Sequence, residues 1–220
     1  MTLIDSLRQA LLSVYELGGT VVVILLATSV VTAALILYKI WQFAAAGVGR
    51  HKVLAQAVDA WDRGDRARAA MLIEQSRSYL APVIGQACGD PESFRSDRAD
   101  AEAEDRFARL ERGLSALDII SQLAPLLGLF GTVLGMIDAF RALQNAGTSV
   151  DPSLLAGGIW VALLTTAAGL AVAMPTSLVL SWFEARMRRD RVFANRALRV
   201  IFAPETGAPE GTARLRAHGT

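Results

Sequence analysis

Three uncharged apolar runs divide the chain, and the stretches between them set apolar residues at helical spacing among charges. The first run, Leu17 to Tyr38, contains GTVVVILLATSVVTAALILY. The second, Ile119 to Ile137, is bracketed by Asp118 and Asp138, and the third extends from Leu154 to Phe183. A helix rises ~1.5 Å per residue and a bilayer core is ~30 Å thick, so each run can span one. β-branched residues are frequent in the first run, but in lipid a lone segment satisfies its backbone only as a helix. The pattern predicts an all-α, polytopic membrane protein with transmembrane helices at 17–38, 118–140 and 154–183. Asp118 and Asp138 then reach water or headgroups at the ends of the second span.

The remainder is predicted as a short periplasmic segment at 1–16, a helical cytoplasmic domain at 39–117, a periplasmic loop at 141–153, a cytoplasmic helix at 184–203 and a disordered tail at 204–220. In the domain, DRGDRARAAMLIEQ reads as a helix ending near Gly64 and a new one capped by Asp65. A break is expected at Gly85–Pro91. Further on, Phe107, Leu110, Leu114 and Leu117 share one stripe, with Glu102–Arg106 and Asp105–Arg109 as i,i+4 pairs. Nothing in the pattern interrupts that stripe before the second span, so a single helix is expected to run from the domain into the bilayer. The charged face of this helix reads first as a solvated surface, second as a subunit contact.

Composition agrees with the membrane reading: 53% of the 220 residues are hydrophobic and the mean hydropathy is +0.37. A formal charge of +1 points to neither nucleic acid nor an acidic substrate. The lone Cys88 excludes an internal disulfide and suits a reducing compartment. The N-terminus lacks the basic start and small-residue cleavage site of a removable signal peptide, so the first run is expected to act as its own insertion signal. Lys39, Arg50 and Lys52 follow the first run; Arg186, Arg188, Arg189 and Arg191 follow the third. The link between spans two and three has only Arg141 and the N-terminal tail only Arg8, which predicts an external N-terminus and a cytoplasmic C-terminus. With only His51 and His218 present, far apart in sequence, no nucleophile–base pair or metal-ligand cluster is legible. No enzyme activity, cofactor or metal is expected.

Two of the spans give up side-chain bulk on one side. At ~100° per residue, Ala124, Gly128, Gly131, Gly135 and Ala139 share a face of the second span, with Thr132 at its edge. Gly131 and Gly135 form a GxxxG spacing, which lets helix backbones approach closely in lipid. In the third span Gly158, Ala162, Thr165, Thr166, Gly169, Ala173 and Thr176 fall within one arc, opposite Trp160, Leu163, Leu170, Leu178 and Trp182. Two readings stand side by side. The faces pack on each other, their threonines bonded to carbonyls one turn back, or they form a polar seam facing a central helix or a water-filled cavity. Pro125 and Pro175 lie inside these spans, where a structural kink is the default role.

LAPLLGLFGTVLGMIDAF followed by GGIWVALLTTAAGLAVAMP resembles the MotA/TolQ/ExbB proton-channel family, and most of all its ExbB/TolQ branch, over roughly Leu117 to Arg189. The resemblance implies an inner-membrane subunit of a motor driven by the proton-motive force. It would assemble as a homo-oligomer, a pentamer in the family's architecture, around an ExbD- or TolR-like single-span partner that carries an aspartate. The complex would energise a TonB- or TolA-like protein for outer-membrane transport or envelope maintenance. Carried over by position, GLFGTV puts a pore threonine at Thr132 and ALLTTAAGL a second at Thr166, with Thr165 beside it. ExbB and TolQ commonly carry glutamate where this chain has Val161, so proton transfer would rely on hydroxyls, water and the partner's carboxylate. That departure leaves room for a non-conducting assembly subunit or a divergent stator-type paralogue.

Overall fold

A computed structural model describes residues 3–90, 94–145 and 152–204. Among them the chain forms seven helices: α1 Leu3–Ala46, α2 Lys52–Asp62, α3 Arg66–Gln75, α4 Ala81–Gly89, α5 Ser96–Glu111, α6 Leu114–Asn145 and α7 Pro152–Phe202. Three stretches are long and apolar enough to cross a membrane: Gly18–Ala46, Leu114–Asn145 and Leu155–Phe202. The chain divides into two compact units, Met1–Lys39 with Gly113–Phe183 and Ile40–Arg112 with Glu184–Thr220. They are called here the span unit and the helical unit. Most of the predicted tail and the centre of the 141–153 loop lie outside the described residues.

One boundary differs from the sequence expectation. The helix carrying Phe107 and Leu110 does not run on into the second span: Arg112 is extended (φ −52°, ψ 126°) and Gly113 takes φ +86°, which separates α5 from α6. A left-handed residue costs glycine nothing, and a glycine within an apolar stripe gave no periodicity signal of its own. The expected break at Gly85–Pro91 falls toward the far end of that stretch, where α4 ends at Gly89 with Asp90 as its cap. Gly85 sits inside α4, and a Cβ there would stand 3.2 Å from Ile73 Cγ2, so its smallness serves packing rather than a turn. At the start of α3 the expectation holds: Gly64 has φ +82° and the Asp65 carboxylate accepts from Arg68 N at 3.1 Å. Within α1, Gly19 breaks the regular helix (φ 66°, ψ −167°) at the start of its apolar stretch.

The helical unit has a core of its own. α5 buries Ala99, Ala103, Phe107 and Leu110; α2 buries Leu54, Ala57, Val58, Ala60 and Trp61; α4 buries Ala81, Val83, Ile84 and Ala87. Such stripes remove apolar surface from water at about 25 cal/mol per Å², the main force holding short helices together. The last part of α7 adds Met187, Ala194, Ala197, Leu198 and Ile201, and Trp61 Nε1 donates to Ile201 O at 3.3 Å. On the same stripe of α7 sits Asp190, which is 1% exposed. A buried carboxylate needs several partners, and Asp190 has them. Gly49 N donates at 3.2 Å and the Tyr79 hydroxyl at 3.1 Å, both to Oδ2, while His51 Nε2 lies 2.8 Å from Oδ1. The His51 ring stacks on Phe193 with centroids 4.7 Å apart, and its Nδ1 is 3.0 Å from Ser78 Oγ. One acid thus fastens the loop after α1 and the turn before α4 to α7.

Burial raises the Tyr79 phenol above its ordinary value, and the neighbouring Asp190 charge raises it further. A phenol that holds its proton more tightly when folded contributes fully below the ordinary phenol value of ~10 and progressively less above it. Thermal unfolding in detergent should therefore show stability falling above about pH 10. Tyr79→Phe should flatten that fall; an unchanged alkaline slope in the variant would contradict the assignment.

Candidate functional site

α6 brings its small residues to one side because their spacing follows the helical repeat, and that side is buried: Ser121, Ala124, Gly128, Gly131, Gly135 and Ala139. Facing it, α7 buries Ala162, Thr165, Gly169, Ala173 and Thr176. The two helices touch through their backbones. A Cβ added to Gly128 would stand 2.9 Å from Thr165 O and 3.1 Å from Thr166 Cα. One on Gly169 would meet Ala124 O at 2.6 Å and Gly128 Cα at 3.1 Å. At Gly131 the obstacle is Thr165 Cβ at 2.6 Å, at Gly135 it is Ala162 Cα at 3.3 Å, and at Gly158 it is Ala139 Cα at 3.1 Å. Within lipid, association depends on this kind of contact, because apolar side chains gain nothing by leaving apolar solvent. α1 closes one end of the seam, with Val21 and Leu25 clustering against Ala124 and Ala173.

The hydroxyls fall into two sets. Thr165 is 1% exposed; its Oγ1 lies 2.7 Å from Ala162 O and 3.2 Å from Gly128 O, so its single proton serves its own helix and the neighbouring one. Thr176, Thr32 and Ser121 are likewise buried, and donate within their own helices to Val172 O, Thr28 O and Asp118 O at 2.7, 2.7 and 2.8 Å. These satisfy themselves within their own helices, as hydroxyls in a membrane span must. Thr132 and Thr166 are different, because both are only half-buried. Thr132 Oγ1 donates to Leu129 O at 2.6 Å, and Thr166 Oγ1 is 3.5 Å from Gly128 O. Each keeps acceptor lone pairs at the margin of the seam. Val161, at the position where the resemblance places a glutamate, is half-buried and one turn before Thr165.

The outer surface of the same helices is apolar. Trp160, Leu163, Leu178 and Trp182 on α7 are 63%, 63%, 73% and 54% exposed, and α6 exposes Leu126, Leu129, Phe130 and Val133. In lipid this is an ordinary solvated face. Sequence reasoning singled out the glycines and threonines that the structure gathers. It passed over Thr32 of α1, whose polar side chain sits in an apolar run with no periodic partner to flag it. Asp118 and Asp138 are half-buried and exposed, respectively, and Asp118 Oδ1 accepts from Gln122 Nε2 at 2.8 Å.

Three apolar helices, two of them joined through glycine with hydroxyls along the join, define a polytopic helical membrane protein with an attached helical unit. Residues 65–193 match the MotA/TolQ/ExbB proton channel family, and the chain belongs to that family. The match takes in α3 to α5 as well as both motif-bearing spans. The chain is 34% identical over 176 residues to biopolymer transport protein ExbB-like 1 of Synechocystis, covering 77% of this chain and 68% of that one. It is 30% identical over 197 residues to biopolymer transport protein ExbB of Neisseria meningitidis, covering 78% and 86%. With biopolymer transport protein exbB1 of Vibrio cholerae it shares 38% identity over 101 residues, 44% of each. These relatives make the chain a proton-channel-type transport subunit of a membrane, most like ExbB.

If the seam is held by backbone contact, bulk at its centre should part the helices. Gly169→Leu or Gly135→Leu is expected to lower the melting temperature in detergent markedly, whereas Gly157→Leu, which has open space around it, should not. Equal melting temperatures for all three variants would remove the close-packing account.

Proposed function

We propose that this chain is the ring-forming subunit of an inner-membrane motor driven by the proton-motive force. In this reading several copies, a pentamer by family likeness, surround an ExbD- or TolR-like single-span partner. The complex energises a TonB- or TolA-like protein for outer-membrane transport or envelope maintenance. The observation that carries the reading is the pairing of the family match with Thr132 and Thr166, the half-buried hydroxyls at the margin of a glycine-bonded seam. Thr165 stands behind them, fixing Gly128 and so the register of the two helices. With no ionisable side chain between Leu154 and Phe183, the hydroxyls would order water or relay a proton while the partner's carboxylate takes and releases it. One elementary charge crossing the bilayer is worth ~2.3 kcal/mol per 100 mV, which sets the size of the driving force. Val161 favours a second reading, a non-conducting assembly subunit that retains the packing faces.

The basic flanks after the first and third spans support an external N-terminus and a cytoplasmic C-terminus. A C-terminal alkaline phosphatase fusion should be inactive and a C-terminal green fluorescent protein fusion fluorescent; the reverse pattern would overturn this topology.

Co-reconstituted with its single-span partner in vesicles, the wild type should carry a proton flux. Thr132→Val and Thr166→Val should each lower that flux at least tenfold while the complex still purifies intact. Full flux in both variants would sink the hydroxyl pathway, and absence of flux from the wild type would favour the assembly reading.

A further inference from the structure

The Gly47–Lys52 loop of the helical unit carries two cations and is packed against a third, Arg186 of α7. Gly49, at φ +73°, leaves its missing side chain's place to the Arg186 guanidinium, and Arg186 Nη2 donates to Val48 O at 3.2 Å. The backbone N–H of the same glycine is held by Asp190. The loop is therefore fixed against α7 at Gly49, and it carries Arg50 and Lys52, both exposed. Arg189, also exposed, lies one turn beyond Arg186 and about 60° from it around the helix. Arg50, Lys52 and Arg189 have no ion-pair partner among the described residues, whereas three cations of α5 and α7 are paired: Arg188 with Glu184, Arg191 with Glu104 and Glu111, Arg106 with Glu102. The one acid at the centre, Asp190, is buried and already occupied by Gly49, Tyr79 and His51. On the chain these cations come just after apolar stretches: Arg186 and Arg189 are within two turns of Phe183 on α7, and Arg50 is four residues past the end of α1.

We propose that Arg50, Lys52, Arg186 and Arg189 form a binding surface for the phosphodiester headgroups of anionic phospholipids. The chemistry is that of a polybasic juxtamembrane surface, whose affinity for an anionic leaflet grows with each cation. Arginine adds a planar fork that meets two phosphate oxygens at once. Arg186, held by Val48 O, supplies a guanidinium fixed at the loop that carries Arg50 and Lys52. The inference rests on the chain being membrane-spanning and is independent of proton conduction or of any partner protein.

The full chain in a neutral detergent, mixed with phosphatidylglycerol or phosphatidylcholine, is examined by native mass spectrometry for retained lipid. Wild type should retain phosphatidylglycerol in preference to phosphatidylcholine. The Arg50→Ala/Lys52→Ala/Arg189→Ala variant should bind phosphatidylglycerol at least tenfold more weakly, with its melting temperature unchanged. Arg63→Ala/Arg68→Ala/Arg98→Ala, which removes three cations elsewhere, should bind like wild type. Equal retention by wild type and the first variant, or an equal loss in the second, would overturn the proposal. So would displacement of phosphatidylglycerol by equimolar inorganic phosphate or by a poly-glutamate peptide, since the surface would then select a free anion or an acidic protein segment.

Discussion

Everything distinctive in the span unit follows from the distance at which α6 and α7 meet. Inside a bilayer no hydrophobic force draws two helices together, so their attraction must come from close contact and from polar groups with no better partner. Glycine at 128, 131, 135, 158 and 169 brings backbone against backbone, and the Gly128 carbonyl comes within reach of Thr165. That approach determines which hydroxyls are internal. Thr165, being central, is consumed by the seam; Thr132 and Thr166, at its margin, retain chemistry to offer. A wider spacing would leave all three in the same condition and give no reason to distinguish them.

The helical unit solves a different problem by an opposite means. It folds in water by burying apolar stripes, yet places a carboxylate on one of them and surrounds it with donors from two loops. The cost of burying Asp190 is offset by Gly49, Tyr79 and His51, and the result is a loop held in one place. That fixed loop carries the exposed Arg50 and Lys52.

Much of the span unit was legible in the sequence because helical periodicity and glycine spacing are local signals. Ala124, Gly128, Gly131, Gly135 and Ala139 lie on one face by arithmetic alone, and the exposed Trp160, Leu163, Leu178 and Trp182 lie opposite the buried arc by the same count. Spacing could not say whether the faces close on each other, since that depends on which copy or which helix fills the gap. The α5–α6 boundary was lost because Gly113 falls where an apolar stripe continues across it, and only a backbone angle reveals the turn. The Asp190 network was missed because His51 and Asp190 are 139 positions apart. A signal did exist: Phe183, Met187, Asp190, Ala194, Ala197 and Ile201 repeat at three and four residues, so an acid sits on an apolar stripe. The run of arginines around it reads as a membrane-orientation signal and masks that stripe.

The proposed function requires that the α6–α7 seam leave Thr132 and Thr166 turned toward a foreign helix rather than toward acyl chains. Cysteine cross-linking tests it most directly, since Cys88 is the single native thiol to replace. In a Cys88→Ala background, Thr132→Cys or Thr166→Cys should form a disulfide with a cysteine scanned along the partner's membrane helix, and Leu178→Cys should not. Disulfides from Leu178→Cys alone, with Thr132→Cys and Thr166→Cys protected from the partner at every scanned position, would contradict the account.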